Sequence, residues 1–169
     1  MALIDGLLQE LDMEMQTTRR VLERVPQHQL GWRPHEKSRS LGGLALHVAM
    51  TPGSVAQLAS APSPAQVPDF AAMEQEPKSA AELVPALEQS VAQAKQLLGG
   101  LDDAALLATW RLARGEQELL ALPRIAFLRS IMLNHWYHHR GQLTVYLREL
   151  NVPVPSIYGP SADENPFPG

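Results

Sequence analysis

The chain has no cysteine. That absence removes a disulfide framework, a thiolate-bound metal and a cysteine nucleophile together, and leaves histidine and carboxylate as the strong ligands. Long apolar runs are missing too. No window approaches the roughly 18 uninterrupted apolar residues of a membrane span, and Met1-Ala2-Leu3-Ile4-Asp5 lacks the cationic start and apolar stretch of an export signal. The expectation is a soluble cytoplasmic protein with no membrane partner. Positive charge is scarce as well: 14 Lys+Arg stand against 18 Asp+Glu for a formal net charge of −4, with no basic block and no arginine-rich helix. A phosphate backbone would find nothing to follow, so nucleic acid is not an expected partner. No fixed-period repeat is present, which argues against a solenoid.

What the chain does have is length and helical periodicity. At 169 residues it fits a single domain spanning 1–169, which buries roughly two-thirds of its unfolded surface and needs no metal merely to hold a core. Leu7, Leu8, Leu11, Met15, Thr18, Leu22 and Val25 recur at three- and four-residue spacings, predicting a first helix from Leu3 to Val25 that Pro26 ends. A polar, Pro-punctuated loop follows to Ser40, which is placed to cap a second helix, Leu41 to Met50, carrying His47. Thr51-Pro52-Gly53 reads as a kink or a restart continuing to about Ala59.

Ser60 to Val67 is a low-complexity connection. Leu83, Leu87, Val91, Ala94 and Leu98 form the stripe of a third helix over Ser79 to Leu98, with Pro85 allowing a later start and Gly99-Gly100 closing it. Ala108 to Leu119, with a turn-like Arg114-Gly115, is either an irregular loop or a short hairpin. A last helix runs from near Pro123 to Leu150, and a Pro-rich tail, Val152 to Gly169, extends over the surface. The fold class expected is all-α: a four-helix bundle with long crossover loops and an extended tail.

The chemistry concentrates in Asn134-His135-Trp136-Tyr137-His138-His139-Arg140-Gly141-Gln142-Leu143. Residues four apart on a helix lie one above the other, about 5–6 Å apart at Cβ, so His135 and His139 can both turn onto one ion at about 2.0–2.1 Å. Projected at about 100° per residue, Ile131, His135, His138, His139, Gln142 and Tyr146 share a face. Imidazoles buried there without partners would cost roughly 1–3 kcal/mol per unsatisfied group, and a bound cation with ordered water relieves that cost. A third ligand is required, and His47, in the apolar run Leu44-Ala45-Leu46-His47-Val48-Ala49-Met50, is the best candidate. Three imidazoles leave an open coordination position, the pattern of catalytic metal sites.

These residues resemble a family. Trp32-Arg33-Pro34, Ser40-Leu41 leading to His47, the His135-x3-His139-Arg140-Gly141-Gln142-Leu143 helix and the tail Tyr158-Gly159-Pro160-Ser161-Ala162-Asp163-Glu164 are similar to the DinB superfamily of damage-inducible, YfiT-like metalloenzymes, which is not the DNA polymerase of the same name. The resemblance implies a four-helix bundle of up-down-down-up topology, a homodimer, and a divalent metal, zinc or nickel, held by His47, His135 and His139. It also implies thiol-dependent transferases and isomerases that use low-molecular-weight thiols. A tris-imidazole centre can acidify bound water to a pKa of about 7 or bind a thiol as thiolate, so hydrolase and thiol-transferase readings stay side by side for a small-molecule substrate. The competing reading is a non-catalytic metal or small-ligand binding protein in stress response.

The neighbouring residues carry further expectations. His138 and Gln142 are candidates for catalytic or supporting use, His138 as a hydrogen-bonding partner, a proton shuttle or a solvated side chain. Tyr146 reads as core. Arg140 projects away from the histidine face, toward a carboxylate or a subunit interface. Gly141, costly in mid-helix by about 1 kcal/mol, points to close packing of another backbone. His28 and His35 read as solvated, with Trp32 to His35 a candidate cover for the pocket, and Asp163 and Glu164 as hydrated carboxylates.

Overall fold

The computed structural model describes residues 2–69 and 75–167. It is mostly helical, and its long segments are where apolar residues recur at helical spacing. Helix α1 (Leu3–Leu22) buries Ile4, Leu7, Leu11, Thr18, Val21 and Leu22, with Asp5 accepting from the Ala2 N–H at 2.8 Å and Asp103 from the Leu3 N–H at 2.8 Å. Those two carboxylates satisfy amides that the first turn leaves without intrahelical partners. The helix ends one turn earlier than the periodicity predicts, because Val25 completes its stripe from a turn before Pro26.

Helix α2 (Leu41–Ser60) is capped as predicted, Ser40 Oγ accepting from the Gly43 N–H at 2.8 Å. The restart expected at Thr51 does not occur: the helix continues through Pro52, which is buried in its middle. Proline lacks the N–H that would bond the carbonyl of Val48 and crowds it. Side chains take over around the break. Trp136 Nε1 donates to the Val48 carbonyl at 2.9 Å, Thr51 Oγ1 to the His47 carbonyl at 2.7 Å, and Ser90 Oγ to the Met50 carbonyl at 3.0 Å while accepting from the Gly53 N–H at 2.8 Å. Gly53 is required there, since a Cβ would stand 2.9 Å from the Ser90 carbonyl oxygen.

A 3-10 turn (Ala80–Glu82) leads into α3 (Leu83–Leu98), the later start that Pro85 allowed. Helix α4 (Asp103–Leu107) precedes a hairpin of β2 (Thr109–Arg114) and β3 (Gln117–Pro123), turned at Gly115 with φ +58°. Strand β1 (Ala65–Gln66), inside the supposed low-complexity connection, pairs parallel with β2. The all-α expectation is thereby corrected to a helical fold with a three-stranded sheet. Trp110 is what roots the hairpin: it is 1% exposed, its ring centroid 4.4 Å from that of Phe127, its indole donating to the Ala61 carbonyl.

The last helical stretch comprises α5 (Arg124–Phe127), a π-helical segment (Leu128–Asn134) and α6 (His135–Glu149). Helix α2 packs on α3 and α6, and α1 on α3 and α6. Leu11, Leu44, Val48, Leu87, Leu143 and Leu147 are among the fully buried residues between them.

The tail does not simply lie over the surface. Glu164 pairs with Arg20 and accepts from the Ser156 N–H, Asp163 pairs with Arg148 at 2.5 Å and accepts from the Val154 N–H, and the Tyr158 hydroxyl meets Arg140 and Glu14. Both acids anchor the tail while remaining open to water, and their cationic and amide partners hold them below the usual carboxylate range. Residues 168–169 of the tail, and 70–74 of the connection before α3, lie outside the described residues.

Candidate metal centre

Helix α2 delivers His47, and α6 delivers His135 and His139 from successive turns. Their ligand nitrogens lie within 4.8 Å of one another, the described residues' group able to hold a metal ion. The ring centroids are 5.2 Å (His47 to His135), 4.6 Å (His47 to His139) and 4.4 Å (His135 to His139) apart. His47 Nε2 and His135 Nε2 face each other at 3.0 Å. Two imidazoles bound at about 2.0–2.1 Å span that distance at an angle of about 95° at the ion.

The donor chemistry fits a cation. His139 Nδ1 lies 2.9 Å from Gln142 Oε1. An amide oxygen only accepts, so the Nδ1 nitrogen carries the proton and Nε2 keeps its lone pair. Burial is the main force lowering the pKa values of the three rings, to about 3 for His47 and about 4 for His135 and below the ordinary value for His139, where the Gln142 hydrogen bond opposes it; neighbouring imidazoles and the Arg39 guanidinium lower all three further. All three are neutral at pH 7, the form that ligates.

The sign of the resulting pH dependence follows. In the unfolded chain these imidazoles take up protons near pH 6.5, but in the folded chain His135 does so only at about 4 and His47 at about 3, so the stability they contribute is full above 6.5 and falls as pH drops toward about 3. The metal-free protein should show a thermal midpoint that declines over that window, and a flatter profile for His47→Gln. Equal slopes in the two proteins would remove His47 as a cause.

His47 and His135 also line a cleft of about 560 Å³ that continues past Arg39, Met50, Leu58 and Ile131. Ile131 shares the histidine face as projected. Tyr146 is core, its ring edge-on to Trp32 at 5.6 Å. His138 is exposed, its ring 4.9 Å from that of His139, and lies outside the group of three. The Trp32 to His35 stretch does not line the cleft; Trp32 packs on Tyr146 and His35 accepts from the Lys37 N–H, while Arg39 reaches the histidines. Gly141 is exposed with open space where a Cβ would stand, so the close backbone approach expected there is absent. Arg140 does turn away from the histidines onto a carboxylate, but into the interior: it is 1% exposed and bonds Glu14 at 2.6 Å.

Sequence reasoning missed Arg39 and the Trp136 contact. Arg39 carried no signal of its own. Trp136 did have one, since a proline four residues after Val48 leaves that carbonyl in need of a donor.

The DinB family model matches residues 3–166. The uncharacterized protein YrdA of Bacillus subtilis (strain 168) is 23% identical over 165 residues, covering 95% of this chain and 91% of that protein. Two solved structures share the fold. A DinB-like protein from Bacillus cereus ATCC 10987 superposes with a TM-score of 0.71 at 23% identity, over 92% of this chain and 97% of the other. The DinB-like protein YjoA from Bacillus subtilis gives 0.65 at 19% identity, over 88% and 96%.

Proposed function

The chain belongs to the DinB family, and we propose that it is a metal-dependent enzyme, a thiol transferase or hydrolase, whose divalent ion is held by His47, His135 and His139. One observation carries this reading: three neutral imidazoles from two helices converge at the wall of an open cleft, and no described carboxylate joins them as a fourth ligand. A closed set of four protein ligands is the mark of a structural site, whereas three with access to a cleft leave room for a reactant. The set admits zinc or nickel, which share a preference for imidazole nitrogen. When bound, such an ion supplies an acidified water or a stabilised thiolate at neutral pH.

The chain's own residues have separable roles in this reading. Gln142 is a positioning residue that holds the proton on His139 Nδ1. His138, on the solvent side, exchanges protons with water at the site's edge. The partner is a small molecule, a low-molecular-weight thiol among the candidates, and the fold is read as the family's up-down-down-up bundle acting as a homodimer.

Elemental analysis of untagged protein tests the site. About one divalent ion per chain is expected in wild type, and loss of it in each of His47→Ala, His135→Ala and His139→Ala with folding retained. Gln142→Leu should keep the ion but weaken it about 10–100-fold, the range for groups that orient metal-bound histidines. Metal-free wild type that cannot be reconstituted, or an ion retained by all three alanine variants, would withdraw the enzyme reading.

A further inference from the structure

The cleft is longer than a metal and its water require, and its composition changes along its length. The residues that α2 and its C-cap contribute recur at three- and four-residue steps, Gly43, His47, Met50, Ser54, Leu58 and the cap Ala61 among them, so the cleft runs as a trough along one face of that helix. Arg39, the charged residue of its described lining, precedes the helix and marks the end nearest its N-terminus. Beyond His47 in the other direction the described lining holds no charge. Met50, Val55, Leu58, Ala61, Pro68 and Ile131 supply an apolar wall, interrupted only by neutral Thr51, Ser54, Gln57 and Gln75. The Thr51 hydroxyl proton is already committed to the His47 carbonyl. Leu58 stands eleven residues past His47 in the same helix, about 16 Å along its axis at about 1.5 Å per residue.

Met50 and Ile131 are 38% and 39% exposed, the large apolar side chains that flank the histidine pair one turn away on either helix. Exposed apolar surface in a concave setting beside a polar anchor is the usual make-up of a small-ligand site. An anionic ligand would find no cation among the described lining between Met50 and Ala61, only the few neutral hydroxyl and amide groups.

We propose that this trough binds an extended, uncharged aliphatic or aryl-aliphatic chain, whose metal-binding head lies at His47, His135 and His139 and whose tail runs along α2 toward Leu58 and Ala61. The substrate class is thus an amphiphile: a thiol, ester or amide on an apolar chain. The inference rests on the metal reading above for the head only; the tail subsite stands on the trough.

A homologous series of ligands tests it. Calorimetric binding of acetohydroxamate, butyrohydroxamate, hexanohydroxamate and octanohydroxamate to zinc-loaded protein should tighten about two- to fourfold per added methylene until the trough is filled. Leu58→Asn and Ile131→Asn, each checked for an unchanged thermal midpoint, should flatten that rise while keeping acetohydroxamate affinity. The matching primary alcohols, tested on metal-free protein, separate the two ideas. A chain-length rise with the alcohols but no hydroxamate binding overturns the metal reading and supports the trough. Equal affinity across both series overturns the trough, whatever the metal content.

Discussion

Replacing Arg140 with leucine should destabilise the protein by roughly 3–5 kcal/mol, the cost of stranding one partner of a buried ion pair. The guanidinium is 1% exposed and Glu14, its partner, 13%. Arg140 Nη1 donates to Glu14 Oε2 at 2.6 Å and to Thr18 Oγ1 at 3.0 Å, and Nη2 to the Tyr158 hydroxyl at 2.5 Å. Its Cζ lies 5.2 Å from the ring centroids of both Tyr137 and Tyr158. Removing the cation leaves the Glu14 carboxylate with the Tyr158 hydroxyl at 3.0 Å but no counter-charge, and takes away one of the two partners that hold Tyr158. Urea unfolding of Arg140→Leu, Glu14→Leu and the double variant measures this. The double variant should recover part of the loss, because two leucines leave no buried charge uncompensated. Strict additivity would show that the two groups do not act as a pair. At total stabilities of about 5–15 kcal/mol for a domain, the single change removes a large share.

Trp136→Phe should cost about 2–4 kcal/mol and also weaken metal binding about tenfold or more. The first figure combines a stranded buried carbonyl, about 1–3 kcal/mol, with the volume lost from a fully buried site. The second follows from position. Trp136 is next to His135 and Val48 next to His47, so the 2.9 Å bond between the indole and the Val48 carbonyl ties together the two backbone segments that bear facing ligands. Pro52 provides no N–H to that carbonyl, so no intrahelical bond replaces the indole's. Chelator competition with a chromophoric indicator gives the affinity, and thermal melts of metal-free protein give the stability. A variant that loses stability but keeps full affinity would show that the tryptophan packs the core without setting the ligand geometry.

The parts of the fold legible in the sequence are those fixed by local repetition. Apolar residues at three- and four-residue intervals placed α1 and α3, Pro123 and Pro153 bracketed the last helical stretch, and Ser40 before an apolar run placed the start of α2. The histidine pair needed only the helical rise, and His47 followed from the expense of an unpartnered imidazole in an apolar run. What was not legible depends on partners distant in sequence. Pro52 reads as a break until Trp136 and Ser90 are known to serve the freed backbone groups. Ala65–Gln66 is too short to announce a strand, and it becomes one only because β2 offers an edge. Asp163 and Glu164 look like surface acids until Arg20 and Arg148 arrive from other helices. The outward face of Gly141 was equally hidden, since its spacing alone does not separate a tight crossing from open solvent.

The π-helical segment at Leu128–Asn134 is the place in this helix where a change of length is absorbed. A widened turn rotates less per residue than α-geometry, so seven residues of it sweep about the angle of six at about 100° each. Loss of one codon within that stretch, returning it to ordinary α-geometry, would therefore leave His135 and His139 facing His47. The same loss between His135 and His139 would swing the second ligand about 100° around the axis relative to the first, separating the two although neither had been mutated.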